Sequence, residues 1–393
     1  MKILHIYELG PLSTDTMGGI ELAILELSKE LVALGNDVTI LTGARNSCSE
    51  RYINGVRILP VDCLNTMRLT WSNSNLKLSR QALFPLAVLG RRLRGYDIYH
   101  GHIYVSGLIA CYLARMNHAV AVNTLHGSYY PVWNEIANPI AARFYRSCER
   151  FLAPMLAKHI HLQIHTAKYF AEQVLAWGAP ADRLKVIHNG VNLNHFHPGT
   201  EAPVEHDHSL PVLLTARRLV KKNGLEYLLR TMKRVLRVER CKLIIAGDGP
   251  ERPRLESLSA DIGVSEHVEF VGAVPHRFMP KYLAAADIAV LPSLIEATSL
   301  FALEAMAMAK PVVATNVGGL PEILGNAALL VEPMNERELG DAIIQLLQDN
   351  EGRDKMGKNG RRFAEKHSWK TVAEQTDAEY RRALSYPQEV KKE

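Results

Sequence analysis

The stretch covering residues 291–323 constrains the fold of this chain most strongly, because strand-like and helix-like segments alternate along it. An apolar strand ends at Leu291, a polar loop follows, and a helix is predicted to begin near Ser299. A second apolar strand at residues 311–315 leads through a Gly-Gly turn into another helix. This succession predicts a parallel β-α-β arrangement, in which ligands bind beyond the carboxyl ends of the strands.

Two acidic residues, Glu296 and Glu304, flank the predicted junction between this loop and its helix. Because Cα–Cβ bonds in a helix tilt toward the N-terminus, Glu304 aims its carboxylate back at the junction. The free amides of a helix start favour a phosphate, whereas a carboxylate accepts hydrogen bonds from a vicinal diol. The pair therefore predicts a ligand with both groups, such as a sugar nucleotide. The alternative is that Glu304 only complements the helix dipole.

The same stretch resembles the donor-site signature of the retaining glycosyltransferases of family 4, which have the GT-B fold. Two glutamates separated by seven residues, the helix EAMA, the strand PVVAT and the turn GG-PE carry this resemblance. It implies an α/β chain with two facing Rossmann-like domains and a central cleft. The family usually has a glycine in the loop after the first glutamate, and this chain has Ala297-Thr298-Ser299 there. The resemblance implies a catalytic role for Glu296 and donor contacts from Thr298, Ser299, Leu300 and Glu304.

Length and cysteine usage bound the architecture and the compartment. A chain of 393 residues suits two domains of ordinary size. Its five cysteines are scattered without a CxxC spacing, which argues against a disulfide framework and against a structural zinc site. The first apolar run breaks at Glu8 and is too short for a signal peptide. We therefore expect a cytoplasmic protein, and we expect no nucleic-acid partner.

The N-terminal half is predicted to form one α/β domain that spans residues 1–195. Its first strand is predicted at residues 2–7, and Gly18-Gly19 then opens a helix whose apolar residues recur at helical spacing. Further strands are predicted at residues 38–42, 56–61, 97–100, 120–125, 160–164 and 185–187. Taken alone, the Gly-Gly turn is either a plain tight turn or an anion site. In the family that the chain resembles, the matching glycines lie over the donor phosphates and face the acceptor.

Three histidines follow the predicted strands of this domain. His100 and His102 share one face of a strand end, and His126 ends the next strand. A zinc site is one alternative, but the sequence lacks an acidic or fourth ligand at a sensible spacing. His126 matches a histidine that lines the active site near the donor sugar in the family, and we predict a catalytic role for it. A purely structural histidine is the other alternative.

A second α/β domain is predicted at residues 210–366, after a polar linker at residues 199–209. Its strands are predicted at residues 211–216, 242–246, 268–271, 288–291 and 311–315, with a helix at residues 225–236. Gly247 ends one strand and matches a family turn that borders the nucleotide, although an ordinary turn is the alternative. Residues 367–393 resemble the closing helix of the family, which crosses back to the first domain.

Two cations follow the first strand of the second domain. Arg218 matches an arginine of the family, but Asn223 occupies the position of the family lysine, so we predict that Lys222 takes that role. Cations at a strand end can neutralise the charge that develops on a diphosphate leaving group. A solvated basic loop is the alternative. The sequence has no DxD motif, so we expect neither a metal nor another cofactor.

The predicted reaction is transfer of a sugar from a nucleoside diphosphate to a hydroxyl acceptor, with the retained anomeric configuration that the resemblance implies. The acceptor is expected to be a glycan, a lipid-linked molecule or a small molecule. A sugar-nucleotide epimerase of the same fold and a non-catalytic sugar-nucleotide-binding protein are the alternatives. A dehydrogenase is disfavoured because no GxGxxG follows the first strand.

The basic residues of the chain are concentrated in the first domain. The net charge is +5, and residues 1–195 hold 19 basic and 13 acidic residues. Residues 68–94 place six cations and no acid around the apolar run of residues 83–89. This mixture is typical of a peripheral face on an anionic membrane. The alternative is a solvated helix pair with a buried apolar run, since Pro85 interrupts any long amphipathic helix.

Overall fold

The structure is a computed structural model, and it describes residues 1–8, 18–44, 49–62, 84–88, 91–202 and 210–385. Its strands form two separate sheets with helices packed on them, so the predicted α/β class is confirmed. Most of the basic segment 68–94, including Arg68, Lys77 and Arg80, lies outside the described residues. Most of the predicted linker lies outside them as well.

The first sheet has eight strands among the described residues. They are β1 (Lys2–Tyr7), β2 (Asp37–Ala44), β3 (Arg51–Ile53), β4 (Val56–Asp62), β5 (Ile98–His102), β6 (Val120–Leu125), β7 (Leu162–His165) and β8 (Leu184–Val186). Their order in space is β3-β4-β2-β1-β5-β6-β7-β8, and β3 pairs antiparallel with β4. Asn54 and Gly55 turn this hairpin with φ of 49° and 82°, as a two-residue hairpin turn requires.

The second sheet has six parallel strands in the part of the chain that the structure describes. They are β9 (Val212–Ala216), β10 (Lys242–Ala246), β11 (Val268–Gly272), β12 (Ile288–Leu291), β13 (Val312–Thr315) and β14 (Ala328–Val331). Their order in space is β11-β10-β9-β12-β13-β14. Each sheet reverses its winding beside its first strand, between β1 and β5 and between β9 and β12. Doubly wound sheets open a ligand crevice at such a point.

Helices cover the sheets because their apolar residues recur at helical spacing and bury one face. The helices of the first half are Gly19–Ala33, Ile103–Asn117, Trp133–Ile136, Pro139–His159 and Lys168–Ala176, with a short helix at residues 84–88. The helices that follow are Leu225–Val235, Arg252–Asp261, Met279–Ala285, Leu300–Ala307, Leu320–Leu324, Glu336–Gln348, Asn350–Lys366 and Trp369–Ser385. None of the helices in the described ranges is long and apolar enough to cross a membrane.

The last helix, Trp369–Ser385, packs against the first half of the chain. The side chain of Tyr380 is fully buried there, and its hydroxyl lies 2.5 Å from His100 Nδ1. Asn36 Nδ2 donates a hydrogen bond to Asp377 at 2.8 Å. The chain therefore crosses from the first sheet to the second after β8 and returns to the first half at its last helix, and these contacts hold that last helix in place.

The twelve strands that the sequence predicts lie within two residues of observed strands. Two observed strands, β3 and β14, are not predicted. β3 has three residues that lie at or near the surface, so it shows no alternation of apolar and polar side chains. β14 is a strand of four residues at the edge of its sheet, where partial burial weakens the apolar pattern.

Candidate active site

The loop after β12 and the helix Leu300–Ala307 carry the two predicted glutamates. Ser299 caps this helix, because its hydroxyl oxygen accepts a hydrogen bond from Ala302 N at 3.3 Å. Glu304 is buried one turn into the helix, and its Oε1 lies 2.6 Å from His276 Nε2. Glu304 therefore has a specific partner from another loop, which a dipole effect alone does not require.

His276 lies with Glu304 in a pocket that residues from both halves of the chain line. Burial lowers the pKa of His276, but the carboxylates of Glu304 and Glu26 outweigh burial and raise the pKa overall. The charge of Lys29 acts in the opposite direction. The cavity has a volume of about 310 Å³, and its lining includes Leu22, Glu26, His195, His276, Leu300 and Glu304. This cavity reaches the helix start at which the donor contacts are predicted.

Glu296 is bound by a cation from the end of β9. The guanidinium of Arg217 donates to the Glu296 carboxylate and, at 2.5 Å, to Ser293 Oγ. Burial raises the pKa of Glu296, but the charges of Lys222 and Arg217 outweigh burial and hold the pKa below its usual value. Glu296 is therefore ionised at neutral pH and can accept hydrogen bonds from a ligand.

Arg217 is a site residue that the sequence analysis misses, because the family pattern selects its neighbour Arg218. Arg218 is exposed, and its backbone carbonyl accepts a hydrogen bond from Asn223 Nδ2 at 2.6 Å. The two arginines are adjacent, and the sequence alone does not show which one turns toward the glutamate. Gly247 packs on the same segment, since a Cβ there would lie 1.9 Å from the Arg217 carbonyl oxygen. Gly247 thus lets the end of β10 approach the end of β9 closely.

Lys222 reaches the cleft, whereas Asn223 is turned into the protein. The Nζ of Lys222 lies 5.2 Å from the centre of the Tyr129 ring, and its charge lowers the pKa of Glu296. Asn223 is buried. The side chain of Lys222 thus lies near Tyr129 and Glu296, and its role at the diphosphate stays a prediction.

Contacts between the two halves of the chain occupy the loop that departs from the family pattern. The hydroxyl of Thr298 donates to the Thr166 carbonyl oxygen, so its proton is not available to a ligand. Asn189 Nδ2 donates to the Thr298 carbonyl at 3.3 Å. A Cβ on Gly127 would lie 3.2 Å from Ala297 Cβ. The predicted donor contact of Thr298 can therefore come only from its backbone amide or its hydroxyl oxygen.

The Gly18-Gly19 turn lies opposite the start of the helix Leu300–Ala307. Gly18 is the N-cap of the helix Gly19–Ala33 and has an extended backbone. A Cβ on Gly19 would lie 3.8 Å from Leu300 Cδ1. Two helix starts thus meet across the cleft, and free amides at helix starts favour a bound phosphate. This is where the resemblance places Gly18, Gly19 and Leu300 against the donor.

A row of hydrogen-bonded histidines leads from the core of the first sheet to the cleft. His5 Nδ1 lies 2.9 Å from His102 Nε2, and His102 Nδ1 lies 3.0 Å from His126 Nε2. His5 and His102 are buried, whereas His126 keeps part of its surface exposed. Burial lowers the pKa of His5 to about 3 and that of His126 to about 4, so both rings are neutral at pH 7. Among the described residues, His126 Nδ1 has no partner and can contact a ligand.

Two histidines of this row and the neighbouring His100 form a possible metal-ligand group, which differs from the zinc alternative of His100, His102 and His126. His5, His100 and His102 have ring nitrogens close enough to share an ion. The nitrogens of His100 already contact Tyr380 Oη at 2.5 Å and Thr124 Oγ1 at 2.7 Å. His5 Nε2 is the nitrogen of this group that lacks a hydrogen-bond partner within the described ranges. A metal ion would have to replace several short hydrogen bonds that these three histidines make.

One buried carboxylate ties the loop after β6 to the helix Pro139–His159. Glu149 accepts hydrogen bonds from Ser128 Oγ, from Trp133 Nε1 at 2.8 Å and from Tyr129 N at 3.3 Å. Burial raises the pKa of Glu149, although these hydrogen bonds act to lower it. The tether holds the loop whose Tyr129 ring faces the cleft.

The turn GG-PE, which includes Gly319 and Glu322, contacts the Glu296 loop and also bonds to a helix of the first half of the chain. Gly319 N donates to the Glu296 carbonyl oxygen at 3.0 Å. The carboxylate of Glu322 accepts hydrogen bonds from Lys168 N and Tyr169 N, each at 2.7 Å. These amides are free donors at the start of the helix Lys168–Ala176. Glu322 therefore caps a helix of the first half from the second half.

Comparisons with known families cover most of the chain. The family described as Glycosyltransferase Family 4 matches residues 17–195, and the family described as Glycosyl transferases group 1 matches residues 200–363. The chain is 29% identical to an uncharacterized glycosyltransferase of Methanocaldococcus jannaschii, over 94% of this chain and 95% of the relative. It is 28% identical to the D-inositol 3-phosphate glycosyltransferase of Corynebacterium urealyticum, over 99% of this chain and 96% of that enzyme.

Solved structures with the same fold include two that align over nearly the whole chain. Sucrose-phosphate synthase from Thermosynechococcus elongatus superposes with a TM-score of 0.85 at 24% identity, over 98% of this chain and 99% of the synthase. HepE from Anabaena, solved in complex with UDP and glucose, superposes with a TM-score of 0.75 at 19% identity, over 97% of this chain and 100% of HepE.

Proposed function

The chain is a nucleotide-sugar glycosyltransferase of family 4 with the GT-B fold, and we propose that it transfers the sugar with retention and without a metal ion. The observation that carries this proposal is the pair Glu296 and Glu304. They lie on either side of one helix start, Glu296 in the loop and Glu304 in the helix, the first bound to Arg217 and the second to His276. A sugar nucleotide offers hydroxyls for the two carboxylates and a diphosphate for the amides between them.

In the proposed reaction the bond between the sugar C1 and the leaving diphosphate oxygen breaks, and the bond from the acceptor oxygen to C1 forms on the same face. The acceptor proton passes to an oxygen of the leaving diphosphate. The negative charge that develops there needs preorganised partners. We assign this role to Arg218, Lys222 and the amides of the helix Leu300–Ala307. Lys222 is supported by its position in the cleft, and Arg218 by its place at the end of β9.

We assign the sugar to the side of the cleft that holds Glu296 and His126. Glu296 is an ionised acceptor, and His126 offers the Nδ1 of a neutral ring. We assign the nucleoside to the cavity beside Glu304 and His276, which is large enough for part of a nucleotide. UDP-sugars are the first donors to test, because HepE binds UDP and glucose.

The proposal requires no metal because cations of the protein replace it. Arg218 and Lys222 follow β9 and no DxD motif occurs in the chain, so the leaving group has protein cations rather than aspartate-bound ions as partners. The acceptor carries a hydroxyl on a glycan, a lipid-linked molecule or a small molecule. D-inositol 3-phosphate, the acceptor that names one relative, belongs to the last class.

The test is product analysis with a panel of nucleoside diphosphate sugars and hydroxyl acceptors in the presence of EDTA. We expect release of nucleoside diphosphate that depends on the acceptor, together with a product whose anomeric proton shows the same configuration as the donor. An inverted product would contradict the proposed stereochemistry. Conversion of the donor without any acceptor would favour an epimerase instead. Activity that EDTA abolishes and a divalent ion restores would contradict the absence of a metal.

A further inference from the structure

The outer face of the helix Pro139–His159 carries large apolar side chains in solvent. Ile140, Phe144 and Phe151 are 85%, 62% and 66% exposed. With 3.6 residues per turn, their spacings of four and seven residues place them in one row along the helix. An exposed apolar row of this kind is typical of a surface that contacts a partner or a membrane.

Cations without acidic partners flank this apolar row. Arg143, Arg146 and Arg150 follow one another at spacings of three and four residues on the same helix. None of the three forms an ion pair with a carboxylate in the described part of the chain, although Arg146 lies over the Tyr130 ring at 4.5 Å and both Arg146 and Arg150 bond to Tyr130 and lower its pKa. The helix has one acid, Glu149, which is buried and already bonded to the loop after β6. Arg143 and Arg150 are exposed, so the side of the helix next to the apolar row is cationic.

The neighbouring helix Ile103–Asn117 widens the surface. Its Leu108, Tyr112 and Met116 are 40%, 49% and 63% exposed and recur every four residues. This helix packs beside Pro139–His159, as the contact of Cys111 Sγ with the His159 carbonyl at 3.8 Å shows. We call the apolar row of Ile140, Phe144 and Phe151, with Arg143, Arg146 and Arg150, the basic-apolar face.

We propose that the basic-apolar face binds an anionic lipid surface and brings the cleft to a lipid-linked acceptor. The statement about the acceptor rests on the proposed function, whereas the statement about lipid binding does not. Helices with cations beside bulky apolar and aromatic residues lie in the boundary between lipid head groups and acyl chains. The cations are attracted to the surface potential of anionic lipid, and the apolar row enters the acyl boundary.

Charge and shape favour lipid over other occupants. A second copy of the chain docked on this face would bring two rows of arginines together without acidic partners between them, and like charges would repel. A soluble polyanion would satisfy Arg143, Arg146 and Arg150 but leave the apolar row in water. Lipid satisfies both. The face also belongs to the helix that Glu149 ties to the cleft loop of Tyr129, so the bound surface lies on the acceptor side of the site.

The test is co-sedimentation of the full chain with vesicles of phosphatidylcholine alone and with phosphatidylglycerol added. We expect binding to the anionic vesicles, weakening as salt is raised. The double variant Phe144→Ser/Phe151→Ser should lower vesicle affinity by about tenfold or more, because two insertions are lost. The double variant Arg143→Gln/Arg150→Gln should lose the preference for anionic vesicles. A control pair on the second half, Arg237→Gln/Val238→Ser, removes an exposed cation and an exposed apolar side chain and should bind as the unmodified chain does.

Donor affinity, measured by calorimetry in the same variants, separates the two proposals. Unchanged donor binding together with lost vesicle binding supports the basic-apolar face. Absence of vesicle binding by the unmodified chain at low salt overturns the membrane proposal and leaves the donor site untouched. A concentration-dependent dimer that the Phe144→Ser/Phe151→Ser variant abolishes would overturn it in favour of a second copy. Failure of the unmodified chain to bind any nucleotide sugar would count against the proposed function, whatever the vesicles show.

Discussion

Arg217 donates a hydrogen bond to Glu296 across the end of β9, one position before the arginine that the family pattern selects. The charges of Arg217 and Lys222 together keep the half-buried Glu296 ionised. The ionised state of Glu296 therefore depends on Arg217 and Lys222, whereas the family pattern selects Arg218 and Lys222. This arrangement separates the roles of two adjacent arginines, and the separation can be measured.

The variant Arg217→Gln should slow transfer by roughly 10²-fold, because Glu296 loses its hydrogen-bonded cation and its pKa rises toward the value that burial favours. The pH profile of kcat should then lose activity on its acid side at a higher pH. Arg218→Gln is the matched comparison: it should also slow turnover, because a charge partner of the leaving diphosphate is lost, but it should not move that acid limb. Equal effects of the two variants on the acid limb would contradict the assignment of Arg217 to Glu296.

The variant Lys222→Ala should also slow turnover by roughly 10²-fold, since a charge partner of the leaving diphosphate is lost. Asn223→Ala should mainly lower thermal stability, because it removes the buried hydrogen bond to the Arg218 carbonyl. Steady-state kinetics and melting curves of the two variants decide whether Lys222 or Asn223 takes the role of the family lysine. A slow but fully stable Asn223→Ala, beside an active Lys222→Ala, would show that the asparagine holds the position of the family lysine.

His276 should make the stability of the fold depend on pH. Its pKa is raised by Glu304 and Glu26 against the effect of burial, so the protonated ring stabilises the folded state. This contribution is fully present below the unfolded pKa of about 6.5, and it is lost as the pH rises through the higher folded value. The melting temperature of the unmodified chain, minus that of His276→Gln, should therefore fall across this window. A difference that stays constant from pH 5 to pH 9 would contradict the ion pair with Glu304.

His126 should stay neutral throughout the range in which enzymes are usually assayed. Burial lowers its pKa to about 4, so kcat/KM should show no step from His126 between pH 5 and pH 8. His126→Ala should impair transfer and leave the melting temperature nearly unchanged, because the ring sits at the open end of the row. Loss of stability with normal specific activity would make His126 structural instead.

His102 should influence the rate of transfer because it orients the His126 ring. His102→Leu removes the group bonded to His126 Nε2, so the His126 ring loses its fixed orientation and transfer should slow by about tenfold. His102→Asn retains a polar group near the Nδ1 position and should recover part of the loss. If both variants lose activity only in proportion to unfolded protein, then His102 has no positioning role.

Much of the fold follows from the sequence because parallel strands are buried on both faces and read as apolar runs. β1, β6, β10 and β12 have the predicted bounds for this reason. The hairpin strand β3 is missed because three surface residues carry no such run. Its turn, Asn54-Gly55, is a strong hairpin signal and is the feature of the sequence that indicates this strand.

The candidate site follows from the sequence only where a residue lies on a recognisable pattern. Glu296 and Glu304 carry the donor signature, and they lie in the loop before one helix start and in the first turns after it. His276 and His5 are missed because their partners, Glu304 and His102, are distant in the chain. Long-range pairing of this kind leaves no local spacing to read. Arg217 is missed because two adjacent arginines differ only in the direction of their side chains.

The most direct test of the account is the affinity of the chain for nucleoside diphosphate sugars, measured by calorimetry with and without the carboxylate of Glu304. We expect the unmodified chain to bind a donor, beginning with UDP-glucose, and Glu304→Gln to bind it at least about tenfold more weakly, because a charged acceptor for the donor hydroxyls is lost. The control Glu374→Gln changes an exposed acid on the last helix and should bind normally. Equal affinity in Glu304→Gln and the unmodified chain would contradict the placement of the donor at this helix start.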